Sequence, residues 1–233
     1  MKFLIYLSVL SLVTIRLKAQ TSLISDLVDP SQQNEDLLYN NSSTFVGSRF
    51  LFDEFNVGKI YLYDGRVFED LVLRFNVFDN LIHFKVLNSA KESIVKNARI
   101  SRFSFYVPKE GVSYDFIKLE TTFYQVIFED DTYSVLKQHQ KKLAQAEQAN
   151  GYNNVRNETK DRLLDDHSYY LRDMHSNTLT RFSLKRKELF PLLIEKGIFN
   201  SKDQIKETIK SARMEPNSDE GIRELLEMSN LKQ

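Results

Sequence analysis

The sequence predicts an α+β protein: a mainly antiparallel β meander, curled into a barrel-like or sandwich-like sheet, with a C-terminal cluster of short helices. Three features predict this fold. β-branched and aromatic residues dominate between residues 44 and 183, with turn residues about every eight to twelve positions. Several strands are apolar on both faces, so the sheet must curl or be covered. The last fifty or so residues change to a helical period.

The chain begins with a short apolar segment. The run FLIYLSVLSLVTI (residues 3–15) follows Lys2 and precedes Arg16. It is shorter than the ~20 residues that span a bilayer and is typical of a signal peptide. We expect a signal peptide at 1–19, cleaved after Ala19, with an uncleaved anchor as the alternative. Export without cysteine favours a Gram-negative bacterial envelope over a eukaryotic secretory route. The expected location is the periplasm, or alternatively the outer membrane or the cell exterior.

Composition excludes several kinds of chemistry. The chain has no Cys, which excludes disulfides and thiolate metal sites. Its 7 Gly are too widely spaced for a dinucleotide-binding or P-loop motif. Without the basic residues of the leader, 29 Lys and Arg face 32 Asp and Glu, so the mature chain is slightly acidic. The sequence therefore predicts no cofactor, no metal, no nucleic-acid partner and no transmembrane span in the mature chain.

The N-terminal part of the mature chain divides at residue 44. Residues 20–43 are polar without a clear apolar face and predict a flexible arm. Residues 44–183 predict the β body. Asp64-Gly65 lies between two alternating apolar runs, which indicates a two-residue hairpin turn. Further strands are predicted near 81–87, 98–107, 114–119, 122–129 and 132–138.

Two strands have apolar residues at both odd and even positions. In the run 67–75, Phe68 and Val72 lie between apolar odd positions, and the run 123–128 is similar. A strand with one wet face would alternate more cleanly. We therefore expect both faces of these strands to be buried.

The second half of the chain changes from strands to helices. Residues 137–154 are polar and predict a connector, followed by strands near 167–174 and 178–183. Residues 184–233 predict a helical segment packed on the body. Its helices are expected at 185–196, ending before Gly197, at 201–213, opened by a capping box, and after Asn217-x-x-Glu220.

Several short motifs follow one another in a recognisable order along the chain. They are Gly47-Ser48-Arg49-Phe50-Leu51, Gly58-Lys59-Ile60, Asp64-Gly65 and Leu73-Arg74-Phe75-Asn76. In this order they resemble the opening of an uncharacterised family of exported envelope proteins of Bacteroidetes-type bacteria. His167-Ser168-Tyr169-Tyr170-Leu171 and the run 189–230 look like later segments of that family. The resemblance implies an exported β-rich body with a helical tail, and no established activity.

One charged residue lies within an apolar strand. Arg74 must find a partner or a wet face there. Asp70 lies on the same face four positions earlier, and Asp64 or Asp79 can approach across a turn. We predict that Asp70 and Arg74 form a structural ion pair. The alternative is an arginine that grips a ligand.

The sequence offers no clear catalytic or metal site. His167 and Asp173 lie about 20 Å apart along a straight strand, too far to share an ion. Glu129-Asp130-Asp131 lacks the spacing of a Ca²⁺ loop and predicts a solvated hairpin tip. No pattern places a nucleophile or carboxylate beside His83 or His139. The catalytic residues, if any, stay unknown.

The aromatic content leaves two functions open. The chain has 17 Phe and 11 Tyr, which fill a core by default but can also line a cavity. We expect an uncharacterised exported envelope protein that is a non-enzymatic binding or structural module with an unknown envelope partner. The first alternative is a carrier of a small apolar ligand in the sheet interior. A hydrolase is the less favoured alternative.

Overall fold

A computed structural model describes residues 27–28, 45–87, 89, 91–145 and 161–230. The predicted signal peptide, most of the arm and residues 146–154 of the predicted connector lie outside this range. The described residues form one mixed sheet of eleven strands that is not closed, followed by three helices. The predicted fold class, a mainly antiparallel curled sheet with C-terminal helices, is confirmed.

The sheet is mostly a meander. Its strands are β1 (Phe45–Val46), β2 (Asn56–Leu62), β3 (Val67–Asn76), β4 (Leu81–Val86), β5 (Ser93–Ile94), β6 (Ile100–Val107), β7 (Val112–Leu119), β8 (Thr122–Glu129), β9 (Tyr133–Ala144), β10 (Asp161–Asp173) and β11 (Leu179–Phe182). The order across the sheet is β1-β10-β9-β8-β7-β6-β2-β3-β4-β5, and β11 also pairs with β10. All pairs are antiparallel except β1 with β10.

Three helices follow the sheet: α1 (Arg186–Glu195), α2 (Lys202–Ala212) and α3 (Asp219–Asn230). The predicted cap of α2 is present, since the backbone N–H of Gln204 donates to Ser201 Oγ at 3.2 Å. At α3 the cap is Ser218 and not Asn217, because Gly221 N donates to Ser218 Oγ. No helix in the described part of the chain has the length and apolarity needed to cross a membrane.

A β-bulge in β3 explains its apolar residues at both parities. Glu69 and Asp70 together lie opposite Lys59 of β2, and Asp70 has a left-handed φ of 57°. The extra residue reverses the alternation, so Phe68 shares a buried face with Leu71. The prediction that both faces of this strand are buried is therefore wrong for β3, whose Val67 is 47% exposed.

Strand β9 is longer than the sequence predicts. Residues 137–144, expected to begin a connector, continue the strand and pair with β10 along its length. The apolar periodicity of these residues is weak, so the sequence pattern does not reveal the strand. Ladder hydrogen bonds and cross-strand charge pairs hold it against β10. Lys141 pairs with Asp165 at 2.5 Å and Lys142 with Asp166 at 2.7 Å.

The turn between β2 and β3 is also longer than predicted. Leu62 N donates to Arg66 O, and Gly65 N donates to Leu62 O. Only Gly65, at φ 84°, takes the left-handed conformation, whereas a two-residue turn of the predicted kind needs it at Asp64 as well. The Asp64 carboxylate instead accepts from the Arg66 guanidinium at 2.9 Å.

One row of side chains crosses eight strands on a single face of the sheet. Directly opposed residues share a face, and the registers connect neighbours from β3 to β11. The row consists of Phe68, Ile60, Phe103, Phe116, Gln125, Lys137, Tyr169 and Phe182. Its two ends are apolar or aromatic, and its centre is polar. This inner face therefore carries two apolar regions with polar side chains between them.

The first core fills the curled part of the sheet, from β2 to the start of β8. The rings of Phe103 and Phe116 are stacked with centroids 4.6 Å apart, and Phe75 packs edge-on against both. Leu27 is also buried here, and Val28 bridges to Val95. At least this part of the predicted flexible arm is thus fixed on the body.

The second core lies between the sheet and the helices. Apolar side chains of β8, β9 and β10 pack there against all three helices. Leu189, Ile205 and Leu225 are each fully buried in it. These helices are short, so their stability depends on this packing.

Residues 45–51 connect distant parts of the sheet. Val46 pairs with Arg162 of β10, while Leu51 N donates to Phe75 O of β3 and Phe50 bridges Asn76. This connecting segment therefore bonds at one end to β10 and at the other to β3. It holds the curl without closing the sheet.

Asp70 allows a test of the bulge. Asp70→Gly should leave the free energy of unfolding unchanged or raise it by up to about 1 kcal/mol, since glycine adopts a positive φ without strain. Asp70→Val should lower it by about 1 to 2 kcal/mol, because a β-branched side chain is strained there. Urea unfolding measures both. The neighbouring Glu69→Val should cost less than Asp70→Val, and equal losses at the two positions would contradict the bulge.

Candidate functional site

The structure separates the predicted ion pair. Arg74 Nη2 lies 2.9 Å from Glu92 Oε1, and its partner is not Asp70. Distance is the physical reason, because Asp70 lies four positions before Arg74 on the same strand, about 13 Å away at ~3.3 Å per residue, whereas Glu92 lies beside the guanidinium. Asp70 instead sits at the bend of the strand, where its carbonyl accepts from Leu87 N.

Arg74 belongs to a small cluster on the outer face of β3 and β4. His83 Nδ1 lies 2.7 Å from the same Glu92 oxygen, and the Arg74 guanidinium stacks on Phe50 at 3.7 Å. Burial alone would raise the pKa of Glu92, but the hydrogen bond from His83 and the charge of Arg74 outweigh it and lower that pKa. The cluster fixes Phe50 and the connecting segment on the sheet and is structural.

Two acidic residues discussed in the sequence analysis, Asp173 and Asp130, stabilise turns through their side chains. Asp173 Oδ1 accepts from the backbone N–H groups of His175 and Ser176. Asp130 Oδ1 accepts in the same way from Thr132 and Tyr133 at the hairpin tip. Within the described ranges, no three His, Asp or Glu side chains are grouped so that they could hold a metal ion.

The polar centre of the inner face is held by a hydrogen bond between Gln125 and His139. Gln125 Oε1 lies 2.7 Å from His139 Nε2. Burial, helped by the charge of Lys137, lowers the pKa of His139 to about 3. The imidazole is therefore neutral at pH 7, and Nε2 carries the hydrogen that is donated to the glutamine oxygen.

Asp219 connects this polar centre to the helices. Its carboxylate accepts from Lys137 Nζ at 2.7 Å and from the Tyr169 hydroxyl at 2.6 Å. Burial and the hydrogen bond to Asp219 raise the pKa of Tyr169. Because Asp219 is the first residue of α3, its charge also meets the positive end of the helix. The start of α3 is thereby fixed over β9 and β10.

A cavity of about 630 Å³ opens beside this contact. We call it the junction cavity, because strands β10 and β11, the start of α1 and the loop before α3 all contribute to it. Its lining is His167, Ser168, Tyr169, Arg181, Phe182, Ser183, Leu184, Lys185, Glu188 and Asn217. Polar and apolar groups both contribute, so the cavity suits a ligand with parts of both kinds.

Positive charge dominates the junction cavity. Arg181 donates to the neutral hydroxyl of Ser168 at 2.8 Å. In the described parts of the chain, no carboxylate forms an ion pair with Arg181 or Lys185. Glu188 is the single acidic residue of the lining. The guanidinium of Arg181 and the ammonium group of Lys185 are therefore available to bind an anion.

A second cavity of about 400 Å³ differs in this respect. It lies between the β3–β4 turn, the β7–β8 turn and β9, and its lining includes Asn80, Thr121 and His139. Its two lysines, Lys141 and Lys142, are already paired with carboxylates of β10. The junction cavity is thus the stronger candidate for binding a charged group.

Sequence reasoning did not bring the residues of the junction cavity together. Ser168 and Arg181 come together only through the pairing of β10 with β11, which no local pattern reveals. One signal was available: Lys185-Arg186-Lys187 places three cations at the start of a predicted helix, where acidic residues are usual. Glu92 was missed because it lies outside any regular strand.

Comparison with protein-family models, with curated proteins and with solved structures gave no match.

The Arg74 cluster predicts a clear stability difference. Glu92→Gln should lower the free energy of unfolding by about 1 to 3 kcal/mol, because the charge of Arg74 then stays half-buried without its partner. Glu69→Gln, which removes the exposed ion pair with Lys59, should cost less than about 1 kcal/mol. Urea unfolding at pH 7 measures both variants. Equal effects would contradict the assigned role of Glu92.

His139 predicts a pH dependence of stability. Between its ordinary pKa of 6.5 and its folded value of about 3, the unfolded chain binds a proton that the folded chain does not. Stability should therefore fall as pH falls through this window, by at most about 1.4 kcal/mol per pH unit from this group. Urea unfolding between pH 7 and 4 measures the slope.

Two variants isolate the contribution of His139. His139→Gln should flatten that part of the pH dependence. His175→Gln changes an exposed histidine and should leave it unaltered. If His139→Gln and the unmodified protein share one slope, the assigned neutral state of His139 is wrong.

Proposed function

We propose that this chain is an exported protein of the bacterial cell envelope that acts as a binding module rather than an enzyme. The junction cavity is the site at which it contacts its ligand. One observation carries this proposal: a cavity of about 630 Å³ brings Arg181 and Lys185 together without a carboxylate partner among the described residues. Unpaired cations in a concave site favour binding of a charged group.

The hydrogen bonds around the cavity favour binding over catalysis. The hydroxyl of Ser168 accepts from Arg181, and no described histidine or carboxylate accepts its proton. Nucleophilic catalysis would need such a base beside the hydroxyl. Tyr169 and Asp219 are engaged in holding α3. The groups at this site are thus placed to hold a ligand.

The proposed location is supported by the N-terminal sequence. The apolar run at residues 3–15 and the preceding Lys2 have the features of an export signal. The lack of Cys accords with an envelope protein that is stabilised by its own packing. The partner, whether another envelope protein or a small molecule, is expected in the same compartment.

The carrier hypothesis receives less support. Aromatic side chains of the first core contact one another across the curled sheet, from Phe75 through Phe103 to Phe116. An interior site for an apolar ligand would need this space. We therefore place binding at the junction cavity and not between the Phe rings.

Site-specific photo-crosslinking in cells of the native host tests this proposal. A photo-reactive residue at Asn217, on the cavity rim, should give an adduct of defined mass in the envelope fraction. The same residue at Tyr106 should give none, since this exposed position lies on β6, outside the cavity lining. Mass spectrometry of the purified full-length protein identifies the adduct.

The Arg181→Gln variant serves as the control for this adduct. It should reduce the adduct at Asn217 because the cation that holds the ligand is lost. Location in the cytoplasm, or equal adducts at the two positions, would overturn the proposed function.

A further inference from the structure

We propose that the junction cavity binds a phosphate monoester, with its phosphate held by Arg181 and Lys185 and its organic group against the apolar wall. This inference rests on the proposed binding function and names the class of ligand. It is carried by the charge of the site, its hydroxyl groups and its apolar lining.

The first argument is the local excess of positive charge. Four basic residues lie between positions 181 and 187; Arg181 and Lys185 line the cavity, together with one acid, Glu188. In the part of the chain that the structure describes, these cations form no ion pair; they are Arg181, Lys185, Arg186 and Lys187. These cations repel one another, and a dianionic phosphate offsets more of their repulsion than a carboxylate does.

The helix adds to this charge. The three cations at 185–187 begin α1, whose positive end already disfavours them. Lys185 occupies the cap position without a side-chain cap. An anion in the cavity would reduce the repulsion between these cations and the helix end. A bound anion would therefore offset basic residues at this helix start, where Glu188 is the acidic residue of the first turn.

The second argument is the set of donors in the cavity. Ser168 is only 6% exposed, and its oxygen accepts from Arg181 Nη2, which fixes the guanidinium. The Ser168 hydroxyl keeps its own proton to donate. Ser183 Oγ accepts from Lys185 N and keeps its proton as well. Two hydroxyls and a guanidinium can satisfy several phosphate oxygens at once.

The third argument is the apolar wall. Tyr169 and Leu184 are each 8% exposed and line the cavity together with Phe182. Inorganic phosphate would leave the exposed part of this wall, mainly on the half-buried Phe182, in contact with water. An ester with an aromatic or aliphatic group would cover it and gain hydrophobic free energy. We therefore expect an ester to bind more tightly than inorganic phosphate.

Calorimetric titration of the full-length chain tests the ligand class with phenyl phosphate, inorganic phosphate and phenol. Phenyl phosphate should bind saturably with one site, inorganic phosphate at least about tenfold more weakly, and phenol without detectable heat. Raising the salt concentration should weaken binding of phenyl phosphate. The absence of saturable binding would overturn the proposal, as would equal binding of phenol.

Variants connect this binding to the cavity. Arg181→Gln and Lys185→Gln should each weaken binding of phenyl phosphate about tenfold or more. Arg99→Gln removes an exposed arginine outside the cavity lining and should bind like the unmodified protein. Lys185 is also exposed, so its variant should fold normally, which a thermal unfolding curve checks. Unchanged affinity in both cavity variants would overturn the assignment.

A phosphate monoester can belong to a soluble molecule or to a lipid headgroup. Flotation with phosphatidylcholine vesicles, with and without phosphatidic acid, distinguishes these sources. Flotation that depends on phosphatidic acid and on Arg181 assigns the site to a lipid headgroup. Binding of phenyl phosphate without flotation assigns it to a soluble ester. An adduct at Asn217 in cells without phosphate-ester binding would remove this inference and retain the proposed function.

Discussion

The structure depends on one constraint: a single face of an eleven-stranded sheet is largely apolar and must be kept from water along its whole width. This face is shielded from water in two ways. Where the sheet curls, Phe rings such as Phe103 and Phe116 fill the interior. Over β8, β9 and β10 the three helices cover it through Leu189, Ile205 and Leu225. Between the two cores lies the polar centre with Gln125 and Lys137, where Asp219 at the start of α3 accepts from Lys137.

The candidate site follows from this division. The junction cavity lies where the start of α1 and the loop before α3 adjoin β10 and β11. Asp219 fixes one side of this opening through Lys137 and Tyr169. The cations at the start of α1 give the opening its charge.

Local sequence patterns predicted most of the elements, because turn residues, helix caps and apolar runs act over short distances. Ser201 caps its helix as predicted. Features that depend on distant pairing were missed. Asp70 introduces a bulge that a regular alternation cannot show. Arg74 pairs with Glu92 across two strands, and the site residues Ser168 and Arg181 meet only after β11 folds onto β10.

The connecting segment 45–51 also has a consequence for the order of folding. Phe45 pairs with Asp161, so this contact closes a loop of more than a hundred residues. The meander from β2 to β9 can form from neighbouring hairpins, whereas this pairing waits for β10 to be synthesised. We expect it to form late in folding. Until then this edge of β10 stays unpaired, and the nascent chain is most prone to wrong strand association at that stage.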